Sequence, residues 1–411
     1  MFRKSCLICE SENLKEILNL GMHPFADTFI PEKNLSDPDK AYPLICDLCL
    51  DCGGVQLRCA TNPEDRYCGV DYSYTSSNSN FSRVHWQDYA KEVAQKIDLK
   101  KESFIVEIGS NDGFLAEQFI AKGHKAIGVD PSPYMAKLAN ERGVKTIIEL
   151  FNQETGKYIL ENFKKADLII ANNVFNHSEN PLDFAKTVSN SLAQEGVFVF
   201  ELPYWGSSIE SGKFDQIYHE HVSYFTAKSS AKIMEKVGMY ISSIEIVNYH
   251  GGSLRVYAKK QKNSEDHCKG LHELIQKENA LGLFETQKYN LFINNLLYQR
   301  NRFLKSLYTL KEKGSKIIAV GAAAKGNTFL NFYQLNNSII DFVTDSSPHK
   351  KEKHTPLTRI PIVGDEIFAE YLNKEVYALI LSWNLADILK PILSKINPNI
   401  KFIFPEKTII L

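Results

Sequence analysis

Short apolar runs alternate with helix-like segments through two long stretches of the chain. In the first stretch, helix-periodic segments separate four apolar runs, at 104–108, 126–129, 168–171 and 197–201. In the second stretch, which begins near Lys316, three more runs follow, at 317–320, 339–345 and 377–381. Such alternation is typical of βαβ units that wind around a parallel sheet. The pattern therefore predicts an α/β protein with two βαβ blocks.

Helical and loop-like segments mark the borders of these blocks. Apolar residues recur at helical spacing over 81–97, which predicts a helix there, and a longer helical stretch at roughly 263–313 separates the blocks. The polar and aromatic segment 71–80 precedes the first helix. We interpret it either as an interdomain linker or as a binding loop, because hydroxyl groups such as those of Tyr74 and Ser77 cluster beside the next domain. Both interpretations stay open.

The first 68 residues contain seven of the eight cysteines. Two C-x-x-C pairs stand out, Cys6/Cys9 and Cys49/Cys52, and each spacing lets a tight turn direct two thiolates at one metal ion. Cys46 precedes Cys49 at the same spacing, so Cys46/Cys49 is an alternative second pair. A redox motif would need a βαβ context that this region lacks. We expect a structural zinc ion, with a role in folding because four thiolates leave no open coordination position.

Composition limits the class of protein. The chain has 411 residues, which corresponds to roughly three domains, and its net charge is −1. With 44% hydrophobic and 24% charged residues it is not a disordered chain. Near-neutrality argues against binding to nucleic acid or to an anionic membrane surface. No apolar run approaches the ~20 residues that span a bilayer, and no apolar signal segment follows the basic start of the chain. We therefore expect a cytoplasmic protein.

A glycine-containing loop follows the first strand of the first block. It does not match the dinucleotide fingerprint G-x-G-x-x-G, because Asn111 and Phe114 stand at the second and third glycine positions. Its form is instead the E/D-x-G-x-x-x-G of S-adenosylmethionine methyltransferases, whose cationic cofactor suits an acidic loop. The candidate cofactor residues in this loop are Glu107, Gly109, Asn111, Asp112 and Gly113.

Polar residues end the next strands as well. Asp130 ends the second strand, 21 positions after Gly109, where a carboxylate accepts ribose hydroxyls in nucleotide-binding sheets. Asn172 and Asn173 end the third strand and are expected at the same carboxyl edge, where ligands bind. The alternative for Asp130 is a surface acid on an ordinary α/β turn.

Longer motifs make the sequence resemble the sugar C-methyltransferases that act on nucleotide-linked 4-keto-deoxysugars. The resemblance covers nearly the whole chain and includes segments 20–24, 72–77, 109–113 and 173–177. Its more specific segments are Tyr218-His219-Glu220-His221, His-Gly-Gly-Ser-Leu-Arg at 250–255, Gly-Ala-Ala-Ala-Lys-Gly at 321–326, and Trp383-Asn384.

The resemblance implies three domains and one reaction. The expected domains are a zinc-binding module at 1–78, a class I methyltransferase domain with a Rossmann-like sheet at 79–258, and a helical segment with a Rossmann-like, substrate-binding domain at 259–411. The implied reaction methylates the sugar carbon next to the keto group, for a surface polysaccharide or a secondary metabolite. The active-site tyrosine, glutamate and histidine of the family correspond to Tyr218, Glu220 and His221.

These three residue types suit that chemistry. A C–H bond next to a ketone is weakly acidic and needs a base within hydrogen-bond reach, and a histidine is neutral and basic near pH 7. We therefore expect His221 to be the base. Tyr218 is expected either to stabilise the enolate oxygen or to carry a proton itself. Glu220 is expected to orient a histidine or to contact a sugar hydroxyl, and alignment is the main contribution to methyl transfer.

Four further residues are candidates for substrate binding. His177 is interpreted as catalytic or as a residue of the pocket wall. Lys325, in the second glycine loop, is interpreted as a phosphate ligand or as part of a tightly packed turn. Arg255 is interpreted as an anion ligand or as a solvated strand-edge arginine, and Asn384 lies in a shared motif.

The expected partner is a nucleotide-linked keto sugar, with no nucleic acid and no membrane, and the expected state is a monomer or a weak homodimer. Two other functions stay open: methylation of oxygen or nitrogen, and non-catalytic binding of a nucleotide sugar. One loop departs from the family, because Glu352 and Leu357 stand where glycines are expected.

Overall fold

The computed structural model of the chain describes residues 2–62, 66, 75–77, 79–260 and 268–404. Within these ranges the strands form four sheets, of four, seven, five and two strands. The predicted α/β fold is confirmed. Among the described helices, none combines the length and the apolar character needed to cross a bilayer.

The N-terminal module is built on a small antiparallel sheet. Its own strands are β1 Leu14–His23, β2 Ile30–Pro31, β3 Tyr42–Cys49 and β4 Val55–Leu57. A short strand from the following domain, β10 Ser223–Tyr224, pairs with β4 and completes the order β1-β3-β4-β10. Strand β2 pairs with a strand of the C-terminal domain instead. The module is therefore joined by backbone hydrogen bonds to both other domains.

The central domain contains a seven-stranded sheet with the order β7-β6-β5-β8-β9-β12-β11. Its strands are β5 Phe104–Ile108, β6 Lys125–Val129, β7 Lys145–Ile147, β8 Ala166–Asn172, β9 Leu192–Pro203, β11 Met239–Val247 and β12 Ser253–Lys260. The first five strands in this order are parallel, β12 runs antiparallel to β9, and β11 runs antiparallel to β12. The strand order reverses between β5 and β8, which is where ligands bind in such sheets.

Helices cover both faces of this sheet, so every residue of β5 is buried. Trp86 and Phe119 belong to the apolar cluster on one face, and Phe184 and Met234 to the cluster on the other. The helices of the domain are α1 Asn80–Lys96, α2 Phe114–Ile120, α3 Pro133–Glu141, α4 Gln153–Asn162, α5 Pro181–Ser191, α6 Trp205–Glu210 and α7 Ala227–Lys236.

The C-terminal domain repeats the five-stranded parallel arrangement in the order β16-β14-β13-β17-β18. Its strands are β13 Lys316–Val320, β14 Phe342–Thr344, β15 Lys353–His354, β16 Ile362–Val363, β17 Val376–Ile380 and β18 Lys401–Ile403. Strand β15 is the partner of β2. The helices of this part are α8 Lys269–Ala280, α9 Thr286–Glu312, α10 Ala324–Phe332 and α11 Ala386–Ile396.

Two predicted elements differ from the structure. The helical stretch predicted at 263–313 is two helices, α8 and α9, because the chain turns at Gly282 with a φ of +71° that favours glycine; residues 261–267 lie outside the described part. The strand predicted at 339–345 is only three residues long. Ile339 and Ile340 are buried in the turn before β14 and are not part of the strand.

Candidate active site

The four predicted zinc ligands converge at one point of the N-terminal module. The Sγ atoms of Cys6, Cys9, Cys49 and Cys52 all lie within 4.8 Å of one another, and the Cys6–Cys52 and Cys9–Cys49 pairs are 3.5 Å apart. Tetrahedral zinc–thiolate bonds of about 2.3 Å require sulfur separations of roughly 3.8 Å, so the cluster fits zinc. Cys46 is buried in the core around β3 and lies outside this cluster. The second pair is therefore Cys49/Cys52.

The first glycine loop follows β5 at the reversal of strand order. Gly109 and Gly113 have φ values of +68° and +75°. A Cβ atom at Gly113 would lie 2.8 Å from the Cβ of Ala139, so the loop packs closely on α3. Asp130 directly follows β6 and accepts the backbone N–H of Asn111 at 2.8 Å and that of Ser132 at 2.9 Å. The carboxylate is thereby fixed beside the loop, and burial raises its pKa.

The C-terminal sheet repeats this geometry. Asp345 follows β14 and accepts the N–H of Ala322 at 2.9 Å and that of Ser347 at 2.8 Å. Gly321, after β13, has a positive φ of +95°, and Gly109, after β5, also has a positive φ. Each Rossmann-like sheet thus presents a glycine loop with a carboxylate fixed beside it.

Two acids of the first loop have partners of their own. Glu107 is buried and accepts the N–H of Ala116 at 2.9 Å, at the start of α2, and burial raises its pKa well above the ordinary value. Asp112 accepts the hydroxyls of Ser76, at 2.5 Å, and of Ser77. The described part of the 71–80 segment therefore lies on the glycine loop.

The remaining cofactor candidates end strands or fall outside the described residues. Asn172 is the last residue of β8, with its side-chain amide buried. Asn173 follows with a φ of +52° and donates its N–H to the carbonyl of Glu201 at 2.7 Å. Both lie at the carboxyl edge of the sheet, as predicted. Tyr74 lies outside the described residues.

Tyr218 and His221 form a hydrogen-bonded pair. The phenol oxygen and Nε2 are 2.7 Å apart, and Nδ1 lies 2.9 Å from the carbonyl oxygen of Gln216. A carbonyl only accepts, so Nδ1 carries the proton and the neutral ring accepts the Tyr218 hydroxyl at Nε2. Burial lowers the pKa of His221 to about 4. The imidazole is therefore neutral near pH 7, with its basic nitrogen directed at Tyr218.

Two other histidines lie around this pair. The ring of His177 is centred 5.0 Å from that of His221, and burial lowers the pKa of His177 well below its ordinary range. The structure thus brings His177 into the predicted site. His219 is buried against the rings of Phe25 and Tyr42 of the N-terminal module. His219 therefore packs the segment 218–221 against the core of the N-terminal module.

Glu220 is held by the N-terminal module. Its Oε1 accepts the backbone N–H groups of Ala26, at 3.1 Å, and of Asp27, at 3.4 Å. Its Oε2 is buried and has no hydrogen-bond partner among the described residues. Burial raises the pKa of Glu220 to about 7. The module therefore positions a candidate active-site carboxyl group, a contact that the sequence does not reveal because its donors are backbone groups.

The C-terminal domain contributes two loops to the candidate site, one after β13 and one after β17. Lys325 donates to Oδ1 of Asn384 at 2.6 Å, so the structure brings these two candidates together. Trp383 donates its indole N–H to the buried carboxylate of Asp215, in the central domain, at 2.6 Å. Burial lowers the pKa of Lys325 to about 8. The site lies between these two domains.

Arg255 has a different environment. It is buried and donates to Glu201 and to Glu92, at 2.7 Å each, and its guanidinium lies 4.5 Å from the centre of the Tyr89 ring. Its cross-strand neighbour in the β12–β9 register is Glu201. The guanidinium is therefore occupied by internal carboxylates, and it is not a solvated strand-edge arginine.

No sequence motif marks Gln216, Asp215 or Lys213 as residues of the site. Gln216 accepts the Nδ1–H of His221 with its backbone oxygen, and its side chain bonds to Ser208 and to the carbonyl of His250. These roles depend on partners brought together by folding, and no local pattern marks them.

The loop that departs from the family keeps a glycine-like backbone. Glu352 has a φ of +63° and Leu357 a φ of +65°. Left-handed backbone of this kind costs a non-glycine residue roughly 1–2 kcal/mol. Glycine is expected at these two positions because it adopts a positive φ without this cost.

Three family models match the chain in succession: a putative zinc binding domain over 6–67, a methyltransferase domain over 77–244 and a C-methyltransferase C-terminal domain over 248–405. Together with the sheet order, the glycine loop and the four-cysteine cluster, they define an S-adenosylmethionine-dependent methyltransferase with a structural zinc site. The chain is thus similar to C-methyltransferases across three successive domains.

A curated C-methyltransferase is similar to this chain over most of its length. C-methyltransferase NovU of Streptomyces niveus is 28% identical over 381 residues, which cover 93% of this chain and 90% of NovU. Among solved structures, an S-adenosylmethionine-dependent methyltransferase from Clostridium acetobutylicum is similar over 44% of this chain and 93% of its own, with 17% identity and a TM-score of 0.34.

Proposed function

We propose that this enzyme methylates the carbon next to the keto group of a nucleotide-linked 4-keto-deoxysugar. The observation that carries the proposal is the hydrogen bond between Tyr218 and the neutral imidazole of His221. Methylation at carbon requires removal of a weakly acidic C–H proton, which a positioned base makes feasible. The relationship to NovU and the C-methyltransferase C-terminal domain support transfer to carbon.

Tyr218 and His221 are proposed to act as a relay. Tyr218 is half-buried and His221 is buried behind it. We therefore place the phenol against the substrate. Its oxygen takes the proton from carbon as its own hydroxyl proton moves to Nε2 of His221. The carbonyl of Gln216 holds Nδ1–H throughout, so the accepting nitrogen stays directed at Tyr218.

Glu220 and His177 complete the proposed pocket. With a pKa raised to about 7, Glu220 is partly protonated at neutral pH, and we assign its Oε2 as a donor to a sugar oxygen. His177 forms the wall beside His221. Bound S-adenosylmethionine supplies the electrophilic methyl group. The residues proposed to hold it are those of the first glycine loop, Asn172, Asn173 and Asp130, which is fixed by two backbone N–H groups.

The proposal is tested by offering the enzyme and its cofactor a panel of nucleotide-linked 4-keto sugars and weighing the products. The expected result is one added methyl group on a sugar, which fragmentation locates on the carbon next to the keto group. His221→Asn, incubated in parallel, is expected to give little product. A methyl group found on oxygen or nitrogen, or a panel in which no sugar gains mass, would contradict the proposal.

A further inference from the structure

A buried arginine of the N-terminal module bridges two segments of the central domain. The side chain of Arg66 is fully buried. One of its terminal nitrogens donates to the backbone carbonyl of His219 at 3.0 Å, and the other donates to the carboxylate of Glu179. Glu179 lies between β8 and α5, whereas His219 belongs to the segment 218–221. Arg66 therefore joins two segments that are far apart in the sequence.

A second arginine of the module binds the same carboxylate. Arg3 donates to the other oxygen of Glu179, and its second terminal nitrogen donates to the carbonyls of Leu57 and Cys59, at 2.9 and 2.8 Å. The planar guanidinium directs its N–H groups along fixed directions, so a carboxylate between two of them is held in position. The module therefore fixes Glu179 from two sides.

The two segments that Arg66 joins carry the histidines of the candidate site. His177 lies two residues before Glu179, and His221 lies two residues after His219. The rings of the two histidines are centred 5.0 Å apart. The bridge therefore lies within two residues of each ring, on the backbone that presents them to each other.

The charge of Arg66 also acts on this region. Burial, followed by the nearby His221 and the Arg66 cation, lowers the pKa of His177 well below its ordinary range. Burial is the main reason that the pKa of His219 falls to about 4, and Arg66 contributes in the same direction. Both imidazoles are therefore neutral near pH 7.

We propose that Arg66 is a positioning residue for the proton removal, and that it acts with Glu179 as a clamp. This assignment rests on the proposed function, in which the relay takes the proton from carbon. By holding the carbonyl of His219 and the carboxylate of Glu179 at once, the guanidinium sets the position of the relay relative to His177. A displacement of about 1 Å can cost a hundredfold in rate. The N-terminal module thus contributes to the geometry of the reaction.

Arg66→Met tests the clamp in the full-length enzyme. Methionine fills similar space without donors, and Glu179 keeps its pair with Arg3, so the variant is expected to fold. Turnover of the keto sugar is expected to fall about 10- to 100-fold, while S-adenosylmethionine affinity and zinc content stay at the wild-type values. Arg66→Lys, which keeps the charge but not the planar fork, is expected to recover part of the rate.

Combination with His221→Asn distinguishes positioning of the relay from a general loss of structure. If Arg66 acts through the relay, Arg66→Met is expected to cost less than about threefold in a protein that already lacks the imidazole, because the two losses are not additive. A full loss in the His221→Asn background would overturn the proposal, as would wild-type turnover by Arg66→Met alone.

Amide hydrogen exchange gives a measurement that needs no substrate. The N–H of His177 is bonded to the carbonyl of Val174 at 3.0 Å, and that of His221 to the carbonyl of Tyr218 at 2.9 Å, so exchange of peptides with these residues reports the opening of each turn. Both turns are expected to exchange roughly tenfold faster in Arg66→Met, through loss of a charge-assisted hydrogen bond. Unchanged exchange would overturn the clamp.

Arg58→Met is the matched control. Arg58 is an arginine of the same module, and the carboxylates described as its partners, Asp47 and Glu16, both belong to the module. This variant is expected to exchange at 174–178 and 218–221, and to turn over, as the wild type does. Unfolding midpoints identify a variant that does not fold. Glu179→Gln, which weakens the clamp and keeps the arginines, then carries the comparison and is expected to show the same faster exchange.

The outcomes separate this inference from the proposed function. If the wild type methylates a keto sugar and neither exchange nor turnover responds to Arg66→Met, the clamp is overturned and the reaction stands. If no nucleotide-linked keto sugar is methylated, but both turns exchange faster in Arg66→Met than in Arg58→Met, the clamp stands and the proposed reaction fails.

Discussion

The hydroxyl of Tyr218 donates to Nε2 of His221 across 2.7 Å, while the opposite nitrogen of the same ring donates to a backbone carbonyl. Both ring nitrogens are therefore committed, and the tautomer is fixed by the protein. A neutral, oriented imidazole behind a phenol suits the proton removal from carbon that we propose.

His221→Asn is expected to lower turnover by about a hundredfold or more, because it removes the proposed proton acceptor. A loss of that size is the usual contribution of a general base. Cofactor affinity is expected to be unchanged. Steady-state kinetics and calorimetry measure the two effects. His272→Asn, an exposed substitution on α8, is the matched control. If His221→Asn turns over at the wild-type rate, His221 is not the proton acceptor.

Glu220→Gln tests the environment of the carboxyl group. Burial raises its pKa in the folded state to about 7, above the ordinary 4.5 of the unfolded chain. The stability that the neutral form contributes is therefore present below pH 4.5 and is lost as the pH rises through 7. Gln does not titrate. The wild-type free energy of unfolding, measured relative to that of Glu220→Gln, is expected to fall by on the order of 2 kcal/mol between pH 5 and 8.

Urea unfolding of both proteins at several pH values measures this difference, and other titrating groups cancel because the two chains share them. A difference that does not change with pH would show that Glu220 has an ordinary pKa and is solvated.

Cys49→Ser is expected to abolish stoichiometric zinc and to impair folding more than chemistry, because structural zinc contributes its binding energy to folding. Metal analysis and the unfolding midpoint are the measurements. Cys46→Ala is the matched control, because Cys46 is buried in the same strand but lies outside the cluster. It is expected to keep its zinc. A stable, metal-free and fully active Cys49→Ser protein would refute the structural role.

Asp130→Asn and Asp345→Asn test the two equivalent carboxylates. Each side chain accepts two backbone N–H groups beside a glycine loop, one in each sheet. Asp130→Asn is expected to weaken S-adenosylmethionine binding roughly 10-fold or more, through loss of a charged acceptor. Asp345→Asn, its matched control, is expected to leave that affinity unchanged. Equal losses in both variants would show that the two sheets do not have separate ligands.

The sequence predicted the features whose signals are local. The C-x-x-C pairs specify two ligands each through a short turn, and the strand-ending residues Gly109 and Asp130 follow from the alternation of strands and helices. Both Rossmann-like sheets were predicted for this reason. The order of the seven strands depends on pairing between residues far apart in the sequence, which no short pattern predicts. The same holds for the pairing of β10 with β4 and of β15 with β2, which joins strands of different domains.

The site itself was predicted only in part. Tyr218, Glu220 and His221 were identified through one contiguous motif. Their partners were not, because the carbonyl of Gln216 and the N–H groups of Ala26 and Asp27 are backbone atoms that any residue would offer.

The local pattern around Arg255 did not predict the environment of its guanidinium group. An arginine after a glycine pair favoured an anion ligand, but its neighbour in the strand register is Glu201, more than fifty positions away. The register, which decides whether the guanidinium is occupied, is fixed only by folding.

Exchange of hydrogen at the substrate carbon tests the central claim most directly. The enzyme is incubated in deuterated water with a nucleotide-linked 4-keto sugar and S-adenosylhomocysteine, so that proton removal occurs without methyl transfer. We predict that deuterium enters the carbon next to the keto group with the wild type and at least tenfold more slowly with His221→Asn. A sugar that the wild type methylates but never labels, or one labelled equally by both proteins, would contradict the assignment of Tyr218 and His221 as the proton relay.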